Sequence, residues 1–161
     1  MFTLDEIIDL AIRIEKNGEN TYRKAQNEVP SPELASMLQG LADDEAEHEK
    51  WFAKLREDMD VEIEDPILEE MGKSIFRSVL GDQAFSISDT DFSRIDNITS
   101  LLELSIEFEK DTIIFYEMLR EFIEDVKVLS GIDKIIEEEN RHIKHLEEVL
   151  EKGEFFSLTN S

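Results

Sequence analysis

Glu45 and His48, in the run LADDEAEHEKWF, stand three residues apart, which sets a carboxylate and an imidazole on one face of a helix. The same pair recurs as Glu139 and His142, and two single glutamates, Glu15 and Glu109, accompany them. The intervals agree: 109 − 15, 139 − 45 and 142 − 48 all equal 94, and so does 116 − 22 for the two tyrosines, Tyr22 and Tyr116. The chain therefore contains an internal repeat. Four carboxylates gathered in one place would repel one another and raise their own pKa values. Two divalent cations supply +4 against the −4 of the four glutamates and leave the set near neutral. Mixed carboxylate and imidazole donors suit iron or manganese rather than a thiolate-seeking metal. A lone Glu-x-x-His is usually a solvated pair, but two copies in register with two more glutamates form a ligand set. The expected metal ligands are Glu15, Glu45, His48, Glu109, Glu139 and His142.

Helices have to position these residues. Around Glu45 and His48 the stripe is Leu34, Leu38, Leu41, Glu45, His48, Phe52 and Leu55, at alternating spacings of 4 and 3, the core face of a bundle helix. Glu15 sits in an equivalent stripe, Leu4, Ile8, Ala11, Glu15, Gly18, Tyr22 and Ala25. Ile98, Leu102, Ser105, Glu109, Thr112, Tyr116 and Leu119 form the third stripe, and Val128, Ile132, Ile135, Glu139, His142, Leu146 and Val149 the fourth. At 1.5 Å of rise per residue, each Glu and its His are about 4.5 Å apart along the axis and both reach one metal pair. Tyr22 and Tyr116 lie one heptad beyond Glu15 and Glu109. They are candidate catalytic residues, where their hydroxyls can hold the ligand carboxylates. Small residues flank the glutamates (Ala11, Gly18, Ser105 and Thr112), leaving room for a cluster and an oxygen species.

Local signals delimit the helices. Thr3 and Glu6 have the form of a capping box opening the first helix, which runs from about residue 4 to 27. Ser31 reads as the N-cap of the second, with Pro32 in its first turn and an end near Met59. The third helix starts near Asn97, a turn falls near Glu124-Asp125, and Gly153 is the C-cap of the fourth. Over residues 60–96 the stripe lapses and Pro66, Gly72 and Gly81 punctuate the chain. This stretch reads as a long crossover with one short helix after Asp65-Pro66, whose amphipathic face is Leu68, Met71, Ile75 and Val79, the whole packed over the bundle by Phe76, Phe85 and Phe92. The expectation is a single all-α domain over 1–161, made of helical hairpins 3–59 and 97–153, the crossover 60–96 and a tail 154–161. Trp51 and His145 occupy matching repeat positions beside the stripe and read as structural or surface residues; Glu47, Glu137 and Glu138 lie off it and read as solvated.

Composition excludes other chemistry. With 40 acidic residues against 17 basic the net charge is −23, which repels nucleic acid and anionic membranes and attracts metal cations. There is no cysteine, hence no disulfide, iron–sulfur cluster or thiolate zinc site, in keeping with a reducing cytoplasm. Neither a signal peptide nor an apolar run of transmembrane length is present, so a cytoplasmic protein is expected.

The segments IEKNGENTY (14–22), DDEAEHEKWF (43–52), FEKDTIIFY (108–116) and EEENRHIKHL (137–146) together resemble the rubrerythrin branch of the ferritin-like superfamily. That resemblance implies an up-down four-helix bundle with a long crossover between its second and third helices, and two iron ions, with manganese the alternative. It implies bridging roles for Glu45 and Glu139, and terminal roles for Glu15, Glu109, His48 and His142. Two departures stand out. Rubrerythrins carry a four-cysteine rubredoxin domain, and this sequence has no cysteine, so a separate electron-donor protein such as a rubredoxin is implied. The family also places a further Glu three residues after the ligand of the third helix, where this chain has Thr112.

The functional expectation is an oxidoreductase reducing hydrogen peroxide or dioxygen in protection against oxidative stress, acting as a homodimer. Two alternatives stay open at this stage: a ferroxidase or binding protein taking up Fe²⁺, and a structural bundle steadied by any divalent ion.

Overall fold

The computed structural model describes residues 4–58 and 95–152. They form four helices: α1 (Leu4–Glu28), α2 (Pro32–Asp58), α3 (Ile95–Arg120) and α4 (Val126–Lys152). The boundaries fall within about two residues of those expected, the usual margin for fraying ends. Ser31 caps α2, its Oγ accepting the Leu34 amide at 3.1 Å. Asp125 caps α4, its Oδ1 accepting the amides of Lys127 at 2.9 Å and Val128 at 3.2 Å. Thr3 of the expected capping box, Gly153, residues 60–94 of the expected crossover 60–96 with the short helix expected there, and the tail lie outside the described residues, while the last two crossover positions, 95 and 96, already belong to α3.

Helices α1 and α2 pack as one hairpin and α3 and α4 as another. Two apolar clusters result, one at each end of the bundle. The first joins Ile8 and Ile14 of α1, Phe52 and Leu55 of α2, Phe115 and Leu119 of α3, and Ile132 and Ile135 of α4. The second joins Ala25, Leu34, Leu38, Ile98, Leu102 and Leu146. Membership fixes the directions. The start of α1 meets the ends of α2 and α3 and the start of α4, so α1 and α4 run one way and α2 and α3 the other. The end of α2 and the start of α3 then stand at opposite ends of the bundle, the relation that a long crossover joins. Each large apolar side chain contributes about 1.5–3 kcal/mol on burial, and these clusters hold together the polar layer between them.

No described helix is long and apolar enough to cross a membrane.

Candidate metal centre

The layer between the two clusters consists of the interruptions in the four stripes. Glu15, Glu45, Glu109 and Glu139 are completely buried, and His48 and His142 are 3% and 5% exposed. All six expected site residues therefore converge on the bundle axis. Two groups form, Glu15, Glu45, His48 and Glu139 in one, Glu45, Glu109, Glu139 and His142 in the other, and within each the donor atoms lie within 4.8 Å of one another. Glu45 and Glu139 belong to both groups. His48 Nδ1 lies 2.8 Å from Glu139 Oε1 and 3.4 Å from Glu15 Oε2. His142 Nδ1 lies 3.5 Å from Glu45 Oε1 and 3.8 Å from both Glu109 and Glu139. The two imidazole rings are near-parallel, at 25°, with centroids 6.3 Å apart.

Whether this layer fits a metal pair is decided by its unsatisfied atoms. Glu15 Oε2, both oxygens of Glu45 and of Glu139, Glu109 Oε2 and the Nδ1 atoms of both histidines are buried without a hydrogen-bond partner. Buried polar atoms are nearly always paired, so eight orphans turned toward one volume mark a place for cations. The residues fit: two shared carboxylates, two outer carboxylates and two inward-facing imidazole nitrogens make a dinuclear donor set.

The electrostatics without metal carry the same sign. Burial, then the charges of Glu109 and Glu15, push the Glu45 carboxyl well above the usual carboxylate range. Burial would also raise Glu15, but the proximity of Glu45 and His48 outweighs it and lowers this carboxyl. Burial favours a neutral His48, yet Glu15 and Glu138 overcome it and raise the imidazole to about 9. His142 is likewise raised to about 9, burial being outweighed by Asp44 and Glu109. Without metal, protons take the place of cations.

Around the ligand set, Tyr22 donates to Glu109 Oε1 at 2.8 Å and Tyr116 to Glu15 Oε1 at 2.6 Å. Burial, then Glu109 for Tyr22 and Glu15 for Tyr116, raise both phenols well above their ordinary pKa, so they stay neutral donors. Of the small positions, Gly18 is close-packed rather than roomy: a Cβ there would stand 3.2 Å from Phe108 and 3.4 Å from the Glu45 carboxylate. The Thr112 hydroxyl donates to its own helix, to the Phe108 carbonyl at 2.8 Å.

Two residues of the site were not expected from the sequence. The outer nitrogen of His48, Nε2, lies 2.6 Å from Glu138 Oε2, and that of His142 lies 2.9 Å from Asp44 Oδ2. An ionised carboxylate only accepts, so each Nε2–H donates and Nδ1 is left free to ligate. Glu138 is thus a partner of His48 and not a solvated residue, whereas Glu47 and Glu137 are exposed as expected. A signal existed: Asp44 and Glu138 each precede the glutamate of a Glu-x-x-His and are repeat-related, 138 − 44 being 94. Trp51 packs on the apolar core, and His145 is exposed.

The family model for rubrerythrin matches residues 6–150. A crystal structure of a Thermotoga maritima protein, described as ferritin-like and diiron-carboxylate, resembles the bundle with a TM-score of 0.73 at 24% identity. The match covers 94% of this chain and 97% of that one. The bundle is thus ferritin-like in fold. No curated protein matches the chain.

Proposed function

The chain belongs to the rubrerythrin family, and from that premise we propose that it is an oxidoreductase reducing hydrogen peroxide or dioxygen at a di-iron centre. The observation that carries this is the set of buried, unpartnered donor atoms on six converging side chains. Glu45 and Glu139, common to both groups, would be shared by the two metals; Glu15 and His48 would complete one position, Glu109 and His142 the other. Two ferrous ions, when bound, supply the pair of electrons that splits the O–O bond. Peroxide reduction then consumes two protons and releases two waters, and the electrons are restored by a separate donor protein.

This chain's own residues have definite tasks. Glu138 and Asp44 hold each imidazole with Nδ1 inward. Tyr22 and Tyr116 fix one oxygen of Glu109 and Glu15 respectively and leave the other unpartnered, where it would be free to hold a metal. The apolar clusters on either side keep bulk water from the reacting layer.

Anaerobic stopped-flow mixing of the diferrous protein with hydrogen peroxide tests the proposal. Oxidation much faster than that of free Fe²⁺ is expected, and a rate equal to free iron would overturn it. The net charge of −23 favours a second reading, uptake of Fe²⁺ for storage, which requires many irons per chain in a cage-like assembly. Gel filtration giving a dimer with two metals per chain removes that reading.

A further inference from the structure

The repeat that builds the metal cage is broken in the carboxylates behind it. The outer nitrogen of His48 is held by Glu138 and that of His142 by Asp44, in each case a residue of the opposite hairpin. Glu138 is the longer side chain and is 21% exposed, and Arg141 Nη2 approaches its other oxygen at 4.0 Å. Asp44 is one methylene shorter and 54% exposed. Water therefore competes for the bond that holds His142 far more than for the bond that holds His48.

Among the described residues, the same side of the cage carries clefts. Two surface clefts lie along the groove between α2 and α4. One, of about 350 Å³, is lined by Asp44, Glu138, Arg141, His142 and His145. The other, of about 390 Å³, is lined by His48, Trp51, Lys134 and Glu138. Glu138 borders both. Next to the tyrosines, by contrast, Tyr22, Tyr116, Phe52 and Phe115 are wholly buried. Among the described residues, an ion entering from either cleft meets a histidine, His142 from one and His48 from the other, and the one on the exposed carboxylate yields more easily.

We propose that Glu138 and Asp44 are positioning residues that make the two metal positions unequal: Glu138 locks His48, while Asp44 lets His142 swing toward its cleft, so metal is exchanged through the His142 half. This rests on the dinuclear reading of the cage but not on any redox reaction.

The test follows release of Co²⁺ from the fully loaded protein into excess chelator, read by the cobalt absorption without oxygen or peroxide. The wild type should release its ions in two phases of equal size. Asp44→Glu, which copies the counterpart position, should slow the fast phase about tenfold toward the slow one. Glu138→Asp should speed the slow phase by a similar factor. Helicity by circular dichroism checks that both variants fold. A single phase in the wild type, or two well-folded variants with rates within about twofold of it, would overturn the proposal. Binding of fewer than two Co²⁺ per chain would overturn the dinuclear cage and this inference together. Two-phase release from a protein whose ferrous form ignores peroxide would support the inference and remove only the oxidoreductase reading.

Discussion

Tyr116 donates its hydroxyl proton to Glu15 Oε1 at 2.6 Å, joining α3 to α1 through the middle of the bundle. Its repeat counterpart does the converse, Tyr22 of α1 donating to Glu109 of α3 at 2.8 Å. The two bonds are charge-assisted and sealed from water, the setting in which a hydrogen bond contributes most. Tyr116→Phe and Tyr22→Phe should each lower the stability of the metal-free protein by about 1.5–3 kcal/mol, since a carboxylate loses its donor. A shift of the urea midpoint with an unchanged slope checks this. Loss of under about 0.5 kcal/mol would mean that the phenols merely fill space.

Glu45 and Glu139 are common to both donor groups, while Glu15 and Glu109 belong to one each. Glu139→Ala and Glu45→Ala should therefore abolish binding of both metals, whereas Glu15→Ala should leave one position partly filled. Metal analysis of protein from iron-supplemented cells measures the ratio. Without metal the Glu45 carboxylate is itself a burden, because burial and its charged neighbours Glu109 and Glu15 push this carboxyl well above the usual range. Metal-free Glu45→Gln should be at least as stable as the metal-free wild type. Wild type loaded at a metal concentration of 100 times Kd should gain about 2.7 kcal/mol, a gain that EDTA removes.

The apolar stripes and the 94-residue offset were legible because burial forces regularity: a glutamate inside a core stripe is conspicuous, and its recurrence more so. Both hairpins, the helix ends and the convergence of the six residues follow from that pattern. Asp44 and Glu138 were not legible in the same way. Helical spacing ranks neighbours on one helix, but each of these bonds crosses to the other hairpin, and no periodicity encodes which helix lies opposite. Gly18 teaches a related lesson. Its lack of a side chain suggested room, but the Phe108 ring and the Glu45 carboxylate take that space, which only three-dimensional packing decides.

The histidines give the pH dependence a sign. Both imidazoles are raised from an ordinary 6.5 to about 9 in the metal-free fold. Their contribution to metal-free stability is thus complete below about pH 6.5 and is lost as pH rises through about 9. Metal requires these rings neutral, so binding at pH 7 must expel the protons of His48 and His142, together with that of Glu45. Affinity should climb between pH 6 and about 9 and then level off. Calorimetric titration in two buffers of different ionisation enthalpy counts the protons. A count of about two to three is expected, and a count near zero would contradict the charge balance drawn for the cage.

Trp51 reaches from α2 across to α4 and lies on the backbone of Gly131, where a Cβ would come within 2.2 Å of the indole. The ring also meets Phe52 edge-on at 5.1 Å, packs on the apolar core and borders the surface cleft between α2 and α4, so the open space beside it lies outward. In Gly131→Ala the indole must therefore move outward. The added methyl gains about 1 kcal/mol of helix propensity, but overpacking against the ring costs about 1–3 kcal/mol. The net result should be a modest loss of stability with a red shift of tryptophan emission, which reports this residue alone because the chain has one Trp. Adding Trp51→Phe removes the ring that clashes, so the double variant should recover the helix gain. If Gly131→Ala is instead more stable with unshifted emission, the glycine is not required for this close approach.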